Sequence, residues 1–276
     1  MNPCLLTGGL GFLGRHVSAC TECLVWDTAS ESPVNLRHPP PFPAHCRGVV
    51  HLAAVSNDAA CRTNPASAWD INITATVQLY LAAAAAGAEF FVLASSEWVY
   101  PDSPHSHRED SPLVPATLGT YGLTKWASEL ALARIAVESC PLVILRLGIL
   151  YGPRRPPVAA PEKVVAAVVA DEPLTVGSKL TGRSFLHVED AAAAIAAVVA
   201  SPVPGTYNLG GEPLSLDKIH VIACEASGQT PVLSESSPST PSQRFIDSTR
   251  FRSTFSWSPT SLADRIHSLV ATYGTA

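Results

Sequence analysis

The sequence feature that most constrains the fold is a glycine-rich turn near the N-terminus, Thr7-Gly8-Gly9-Leu10-Gly11-Phe12-Leu13-Gly14. The turn directly follows a short apolar run at 3–6 and leads into a helical pattern. A strand that passes through such spaced glycines into a helix is typical of the first βα unit of a dinucleotide-binding sheet. Gly8 and Gly11 allow a tight turn and close approach to a pyrophosphate, and Gly14 lets the helix pack on the sheet. The free N–H groups at the helix N-terminus then attract the phosphates.

Short apolar runs alternate with helical patterns along the rest of the chain. Strands are predicted at 24–26, 49–52, 90–94 and 142–147, and helices at about 66–86, 120–139 and 188–199. Buried strands separated by helices indicate a parallel sheet that is covered on both faces. We therefore predict an α/β protein, a Rossmann-type doubly wound parallel sheet with a smaller C-terminal substrate lobe.

The composition of the sequence changes after Tyr151-Gly152-Pro153, where Pro, Ser and Thr become more frequent and the predicted helices and strands become shorter. The Ser/Pro/Thr stretch at 234–242 predicts a loop. We expect the dinucleotide-binding domain to comprise residues 1–152 plus about 185–203, and the smaller substrate-binding lobe to comprise about 153–184 and 204–276.

Composition argues against several classes of protein. The chain has 276 residues, of which 47% are hydrophobic and 15% charged, with a net charge of −5. This balance provides no basic surface for nucleic acid or for an anionic membrane. No apolar stretch has membrane-spanning length and no signal-peptide pattern is visible, so we predict a cytoplasmic protein that binds neither membrane nor nucleic acid. The seven scattered cysteines argue against a disulfide framework, and no metal site is predicted.

An acidic residue at the end of the second predicted strand bears on the choice of cofactor. Asp27 comes nineteen residues after Gly8. A carboxylate at this point accepts hydrogen bonds from ribose hydroxyls and repels a 2′-phosphate. The sequence therefore predicts NAD in preference to NADP, the alternative being a solvated aspartate that opens a turn.

A hydroxyl, a phenol and an amine form the candidate catalytic group. Ser96 follows the strand predicted at 90–94, and Tyr121 and Lys125 stand four residues apart on a predicted helix. Residues at this spacing share a helix face, about 5–6 Å apart at Cβ. We expect the Lys125 ammonium, with the positive nicotinamide ring, to lower the pKa of Tyr121 so that the phenol can exchange a proton with the substrate during hydride transfer. Ser96 would orient the substrate oxygen, and Lys125 would also hold the nicotinamide ribose; an ordinary amphipathic helix face is the alternative.

Several motifs in this order carry a resemblance to a known family. Besides the glycine turn they are His51-Leu52-Ala53-Ala54, Ser95-Ser96-x-x-Val99-Tyr100, Tyr121-x-x-x-Lys125, Arg146-x-x-x-x-Tyr151-Gly152-Pro153, the run from Arg183 to Asp190, and Tyr207-Asn208-Leu209-Gly210. Together they resemble the extended short-chain dehydrogenases, specifically the NAD-dependent epimerase/dehydratase family, over almost the whole chain. The resemblance implies a nucleotide sugar as the substrate.

The resemblance also implies further site residues. Asn35 and Leu36 would lie against the adenine, residues 52–56 would line the nicotinamide side, and Asn72 would support the nearby sheet edge. The implied cofactor residues are Gly8, Gly11, Phe12, Leu13, Gly14, Asp27, Asn35, Leu36, Leu52, Ala53, Ala54, Ser56, Ser95, Tyr121, Lys125 and Gly148. The implied substrate residues are Ser56, Ser96, Glu97, Ile149, Arg183 and Arg244, and Glu97 joins Ser96, Tyr121 and Lys125 as a candidate catalytic residue.

Two positions after the catalytic hydroxyl depart from the family pattern. Sugar-nucleotide dehydratases of the family carry an acid pair there, or an acid at the second position, for expelling water. This chain has Glu97 followed by Trp98. A carboxylate can still act as an acid, but the usual base for elimination is missing, so Glu97 is interpreted either as a catalyst or as a hydrogen-bonded side chain near the site.

Other departures concern the substrate. Ile149 stands where sugar-nucleotide enzymes of the family usually have Asn, and Ser237 lies where they tend to carry an Arg for the diphosphate. Arg183 is in place, either as a phosphate ligand or in a surface salt bridge. Arg154, Arg155 and Arg244 are the alternative diphosphate ligands.

These observations favour NAD-dependent C4 epimerisation of a nucleotide sugar through a transient 4-keto intermediate. The alternatives are a nucleotide-sugar dehydratase of the 4,6- or 5,6-type that uses Glu97, a ketoreductase or dehydrogenase, and a non-catalytic NAD-binding protein. The complete Ser96, Tyr121 and Lys125 set disfavours the last, since a sensor needs only the glycine turn. The resemblance, with the Ala-rich helices at 66–86 and 120–139, predicts a homodimer through a four-helix bundle.

Overall fold

The computed structural model describes residues 2–236 and 240–275. Its strands are β1 (Cys4–Thr7), β2 (Cys23–Trp26), β3 (Val49–His51), β4 (Phe91–Ser96), β5 (Ser103–His107), β6 (Leu142–Leu147), β7 (Leu150–Tyr151), β8 (Leu174–Val176), β9 (Gly182–Ser184), β10 (Leu186–His187), β11 (Gly205–Leu209), β12 (Pro213–Ser215), β13 (Leu233–Glu235) and β14 (Gln243–Ile246). The α-helices are α1 (Phe12–Cys20), α2 (Asp58–Thr63), α3 (Pro65–Trp69), α4 (Thr76–Ala85), α5 (Thr120–Ile135), α6 (Ala160–Val169), α7 (Val188–Ala200), α8 (Leu216–Ser227), α9 (Thr249–Phe255) and α10 (Leu262–Gly274). None of these helices is both long enough and apolar enough to cross a membrane.

A six-stranded parallel sheet in the order β2-β1-β3-β4-β6-β11 forms the centre of the larger part of the molecule. The chain runs from β1 outward to β2 and then returns to place β3 on the other side of β1. This reversal creates a crevice at the carboxyl ends of β1 and β3, which is where sheets of this type bind their ligands. The prediction of a Rossmann-type parallel sheet is confirmed.

Helices cover both faces of this sheet, as the apolar strands require. Because side chains alternate along a strand, Leu6 packs on the face covered by α1 and α7, and Leu5 packs on the face covered by α4 and α5. The first face also holds Val17 of α1 and Ile195 of α7, both fully buried. All residues of β1, β3, β4 and β6 are buried, which explains why these strands read as continuous apolar runs.

The smaller part of the molecule is built from short strands and three packed helices. One sheet has the order β12-β9-β14-β5, and β8 pairs with β13. The helices α6, α8 and α10 pack together around a separate cluster that includes Val165, Ile219 and Ile266. This cluster gives the smaller part its own hydrophobic core.

The structure corrects the predicted domain boundaries in two places. Residues from 204 onward were expected in the smaller lobe, yet β11 pairs in parallel with β6 in the central sheet, and Phe251 of α9 packs in the same core. Conversely, β5 lies within the range 1–152 but pairs with β14 of the smaller sheet. Both assignments depend on strand pairing between distant segments, which no local sequence pattern predicts.

Three predicted elements differ in detail. The helix expected over 66–86 comprises α3, a π-helical segment at Asp70–Ala75 and α4, and it ends before Gly87, whose φ is +78°. The helix expected to reach residue 139 ends at Ile135. The loop expected at 234–242 begins inside β13, and its residues 237–239 lie outside the described residues.

Candidate active site

A cleft of about 660 Å³ opens at the carboxyl ends of the central strands. Segments that follow β1, β2, β3, β4 and β6 each contribute to its lining. The predicted residues that line it are Gly8, Gly11, Phe12, Leu13, Gly14, Asp27, Asn35, Leu36, Leu52, Ala53, Ala54, Ser56, Ser95, Ser96, Tyr121, Lys125, Gly148 and Ile149. The fold thus brings the whole predicted cofactor set and the candidate catalytic trio into one cleft.

The glycine turn has the geometry that a pyrophosphate site requires. Gly8 has a φ of +71°, which L side chains rarely adopt. A Cβ at Gly14 would lie 2.2 Å from the carbonyl oxygen of Gly8, so only glycine lets α1 start this close to the turn. The N-cap residue of α1 is Gly11, which has no side chain to accept hydrogen bonds from the first helical turn. The N–H groups of that turn therefore suit an anionic ligand.

Asp27 is held at the end of β2 with its carboxylate on the cleft. The backbone N–H of Leu10 donates to Oδ2 at 3.0 Å, and the N–H of Ala29 donates to Oδ1 at 2.9 Å. These bonds orient the carboxylate, and each oxygen keeps a lone pair for a ribose hydroxyl. The residues present therefore fit the adenosine half of NAD.

Ser96, Tyr121 and Lys125 meet at the inner end of the cleft. Ser96 ends β4, while Tyr121 and Lys125 lie one turn apart on α5 with both side chains buried. The backbone N–H of Trp98 donates to the Ser96 hydroxyl at 3.3 Å. The Ser96 hydroxyl also lies near the phenol of Tyr121 and acts to lower its pKa. The fold therefore brings a phenol, a hydroxyl and an amine together at this end of the cleft.

Burial sets the pKa values of these groups. Burial raises the pKa of Tyr121 to about 12, although the Ser96 hydroxyl acts to lower that pKa. Burial lowers the pKa of Lys125 to about 8, although the nearby carboxylate of Glu129 acts to raise that pKa. The expected lowering of the Tyr121 pKa therefore does not come from the chain's own residues, because desolvation of the phenolate outweighs them. The part expected from the positive nicotinamide ring stays a prediction.

Two side chains that sequence reasoning did not connect with catalysis anchor α5. The backbone N–H of Tyr121 donates to Oδ1 of Asp58 at 3.0 Å, so a carboxylate from α2 caps the catalytic helix. Asn72, in the π-helical segment, donates to the Thr124 hydroxyl at 2.9 Å and accepts from the N–H of Val55 at 2.8 Å. Asn72 thereby joins α5 to the loop after β3 that lines the cleft, and the supporting role that the resemblance implied for it stays a prediction.

Glu97, Arg183 and Arg244 do not line the cleft. Glu97 is fully buried, and its Oε1 lies 3.1 Å from Nε of Arg183. The guanidinium carbon of Arg244 lies 4.9 Å from the ring centroid of Trp98. The three predicted substrate residues therefore form a separate cluster directly behind the cleft wall made by Trp98 and Ile149.

The alternative arginines are placed differently. Arg154 lines the cleft with its guanidinium carbon 4.0 Å from the ring centroid of Phe12, and its Nε lies 2.8 Å from Oε2 of Glu162. Arg155 lies over the ring of Tyr273, away from the cleft lining. Ser237 is outside the described residues.

Sequence reasoning missed part of the lining. The lining residues that were not predicted as site residues are Trp26, Thr28, Val34, Asn57, Ile71, Ala94, Trp98, Leu147, Leu150 and Val158. Most stand directly beside a predicted residue in the sequence, and that adjacency is the signal that could have found them. Val158 is the exception, because no predicted site residue stands beside it in the sequence. Among the described residues, no group of three His, Cys, Asp or Glu side chains could hold a metal ion.

A parallel sheet with a glycine turn, a carboxylate at the end of the second strand and a Ser/Tyr/Lys group in one cleft is typical of a dinucleotide-dependent enzyme of the extended short-chain dehydrogenase class. The model of the NAD-dependent epimerase/dehydratase family matches residues 41–210, and the chain belongs to this family. The predictions of family membership, of an enzyme and of NAD as the cofactor are confirmed at this level.

Individual relatives agree with the family assignment. The chain is 30% identical over 235 residues to the uncharacterized UDP-glucose epimerase YtcB of Bacillus subtilis, covering 81% of this chain and 73% of that protein. It is 30% identical over 182 residues to the UDP-glucuronate 4-epimerase of Thermodesulfobacterium geofontis, covering 62% of this chain and 54% of that protein. Among solved structures, MoeE5 in complex with UDP-glucuronic acid and NAD matches with a TM-score of 0.85 at 25% identity, covering 98% of both chains.

Proposed function

We propose that the protein epimerises a nucleotide sugar at C4 through a transient 4-keto intermediate. The observation that carries this proposal is the complete Ser96, Tyr121 and Lys125 group in the same cleft as the glycine turn, with Trp98 rather than a carboxylate lining the cleft next to Ser96. The group serves oxidation and reduction at one carbon. An indole offers only an N–H donor and cannot act as the base of an elimination.

The chain's residues have distinct parts in this reaction. Tyr121 takes the proton of the C4 hydroxyl, and Ser96 holds the same oxygen so that it points at the phenol. Lys125 stabilises the phenolate and holds the nicotinamide ribose. The glycine turn and Asp27 would hold NAD in the cleft, where it would supply the hydride-accepting and hydride-donating chemistry that C4 needs. Tyr121 gives the proton back once the ketone has turned its other face to the cofactor.

The relatives support a nucleotide sugar as the substrate. The names of the two curated relatives describe epimerases of UDP-linked glucose or glucuronate, and the solved complex holds UDP-glucuronic acid with NAD. A uridine diphosphate sugar is therefore the first substrate to test.

One observation favours a dehydratase as the second candidate. Burial raises the pKa of Glu97 to about 8, against the opposing charge of Arg183, so this carboxyl favours the protonated form that a general acid needs. Its position behind the cleft wall and the lack of a base at Trp98 place this candidate second.

Product analysis separates the candidates. The protein is incubated with NAD and UDP-glucose, UDP-glucuronic acid or dTDP-glucose, and products are read by mass spectrometry and NMR. We expect an unchanged mass with inverted configuration at C4. A product lighter by one water would establish the dehydratase instead, and a lack of turnover across all three sugars would contradict an epimerase.

We also propose that the protein is a cytoplasmic homodimer. The proposed interface is the face formed by α3, α4 and α5, where the apolar side chains of Trp69, Leu81 and Leu130 are about half exposed. Sedimentation at micromolar concentration tests this proposal, and a monomer would refute it.

A further inference from the structure

Among the residues that the structure describes, two cationic side chains line the cleft, Lys125 and Arg154. Lys125 belongs to the candidate catalytic group, whereas Arg154 lies in the segment between β7 and α6 and has no part in that group. The guanidinium carbon of Arg154 lies 4.0 Å from the ring centroid of Phe12, the first residue of α1. Arg154 therefore brings a positive charge to the start of the helix that follows the glycine turn.

A buried carboxylate fixes the guanidinium of Arg154 in place. Nε of Arg154 donates to both oxygens of Glu162 at 2.8 Å, and Glu162 on α6 is fully buried. The same carboxylate accepts from the backbone N–H groups of Gly152, Val158 and Ala159 at 3.2, 2.6 and 3.1 Å. A side chain held in this way loses little conformational freedom when a ligand binds, so the guanidinium is preorganised.

The ion pair leaves the η nitrogens of Arg154 available to a ligand. Glu162 engages only Nε, and no acceptor among the described residues bonds Nη1 or Nη2. The Arg154 side chain is 24% exposed and belongs to the cleft lining. The η nitrogens can therefore make the bidentate contact that guanidinium groups make with phosphate oxygens.

The pyrophosphate of a dinucleotide offers more acceptors than the glycine turn uses. The turn supplies backbone N–H groups and the positive end of the α1 dipole. Each phosphate carries a negative charge, and the oxygens that face away from the turn remain available to other donors. Charge-assisted hydrogen bonds from a guanidinium are stronger than those from neutral N–H groups. Arg154 has both the charge and the position at Phe12 to supply them.

We propose that Arg154 is a further ligand of the NAD pyrophosphate, so that the smaller part of the molecule takes part in holding the cofactor. The helix α6, which anchors Arg154 through Glu162, packs in the core of the smaller part. A nucleotide sugar carries the same diphosphate chemistry, but the contact with Phe12 places the guanidinium at the cofactor's helix. The proposal holds for any NAD-dependent reaction in this cleft and does not rest on C4 epimerisation.

Calorimetric titration of the full chain distinguishes the two diphosphates. NAD and ADP-ribose both carry the cofactor pyrophosphate, the latter without the nicotinamide, and UDP represents the diphosphate of a sugar substrate. Arg154→Gln is expected to weaken the binding of NAD and of ADP-ribose by about 10- to 100-fold, the usual worth of hydrogen bonds to a charged group. The affinity of the variant for UDP should stay within about twofold of the wild-type value.

Arg155→Gln is the matched control, because it removes the same charge one residue further along the chain. The guanidinium carbon of Arg155 lies 5.5 Å from the ring centroid of Tyr273, and Arg155 is exposed and does not belong to the cleft lining. This variant should bind NAD, ADP-ribose and UDP as the wild type does.

Several results would overturn the proposal. Unchanged affinities for NAD and ADP-ribose in Arg154→Gln would show that the pair with Glu162 is only structural. A loss confined to UDP would assign Arg154 to the substrate diphosphate, and equal losses for all three ligands would indicate a general distortion of the cleft.

A second variant decides if Arg154→Gln does not fold, as thermal melting would reveal. Arg154→Lys keeps a cation beside Glu162 but lacks the η nitrogens. Its binding of ADP-ribose is expected to be at least about threefold weaker than that of the wild type, because an ammonium cannot replace a bidentate guanidinium. Wild-type affinity for ADP-ribose in this variant would overturn the proposal.

Discussion

Glu129 and Arg146 form a buried bidentate ion pair, in which Nη2 of Arg146 donates to Oε2 at 2.7 Å and Nε donates to Oε1 at 3.2 Å. The Ser95 hydroxyl donates to the same carboxylate, and Nη1 of Arg146 donates to the hydroxyl of Tyr100 at 2.7 Å. Glu129 also supports the charge of Lys125, one turn earlier on α5. The pair therefore connects β4, α5 and β6, and β4 and α5 carry the candidate catalytic side chains.

Breaking this pair is expected to destabilise the fold. Glu129→Gln leaves the buried guanidinium of Arg146 without a counter-charge, which costs about 3–5 kcal/mol of unfolding free energy. Glu89→Gln is the control, because Glu89 pairs with Arg47 at the surface with 63% of its side chain exposed and should cost at most about 1 kcal/mol. Urea unfolding of both variants measures the difference. A loss below about 1 kcal/mol in Glu129→Gln would show that the pair contributes little.

The depressed pKa of Lys125 predicts a dependence of stability on pH. Its folded pKa is about 8 against an ordinary value of 10.5. Between these values the unfolded chain binds a proton that the folded chain does not, so the Lys125 contribution to stability becomes more favourable as pH rises from 8 to 10.5. Below pH 8 both states are protonated and the full desolvation cost remains, on the order of 3 kcal/mol.

Lys125→Met removes this titration. Urea unfolding of the wild type and the variant at several pH values between 7 and 10 measures the difference between their free energies of unfolding. We expect the variant to be the more stable at pH 7 and its advantage to shrink toward pH 10. A difference independent of pH would contradict the assignment.

Asp27 should select NAD over NADP. Its carboxylate repels a 2′-phosphate, so calorimetric titration is expected to show at least about tenfold tighter binding of NAD. Asp27→Asn keeps the side chain's shape but removes its charge. Both Asp27→Asn and Asp27→Ala should reduce the difference between the affinities for NAD and NADP. Equal or tighter binding of NADP by the wild type would refute the prediction.

Tyr121→Phe should separate catalysis from folding. Turnover is expected to fall by about 10² or more, because the proton-transferring hydroxyl is lost. The melting temperature and the affinity for NAD should change little, since the backbone N–H of Tyr121, which Asp58 holds, is unaffected. Rates near those of the wild type would exclude Tyr121 as the proton-transferring group.

Glu97→Gln distinguishes epimerisation from elimination. In epimerisation no hydroxyl departs, and glutamine mimics the protonated carboxyl that burial favours, so the loss of turnover should be small. In elimination the change removes the general acid and should lower turnover by about 10² to 10⁴. We expect the small loss. A severe loss of turnover in Glu97→Gln, together with a dehydrated product from the wild type, would establish elimination instead of epimerisation.

Local patterns in the sequence determined much of the site. The glycine turn, the strand that ends at Ser96 and the spacing of Tyr121 and Lys125 each depend on a few consecutive residues. Parallel strands present their carboxyl ends at one edge, so predicting these elements also predicted that their terminal residues would meet.

Tertiary structure alone decided the remaining features. Glu97, Arg183 and Arg244 come together only because β9 and β14 pair beside the segment that follows β4. Likewise, β11 joins the central sheet after about sixty intervening residues, a separation that no periodicity records. The periodicity of apolar residues indicates which face of a helix or strand is buried. The partners of a buried charge depend instead on contacts between distant segments. The sequence by itself therefore predicted which residues line the cleft from the glycine turn to Ser96, Tyr121 and Lys125, and the folded chain decided which charged side chains lie around them.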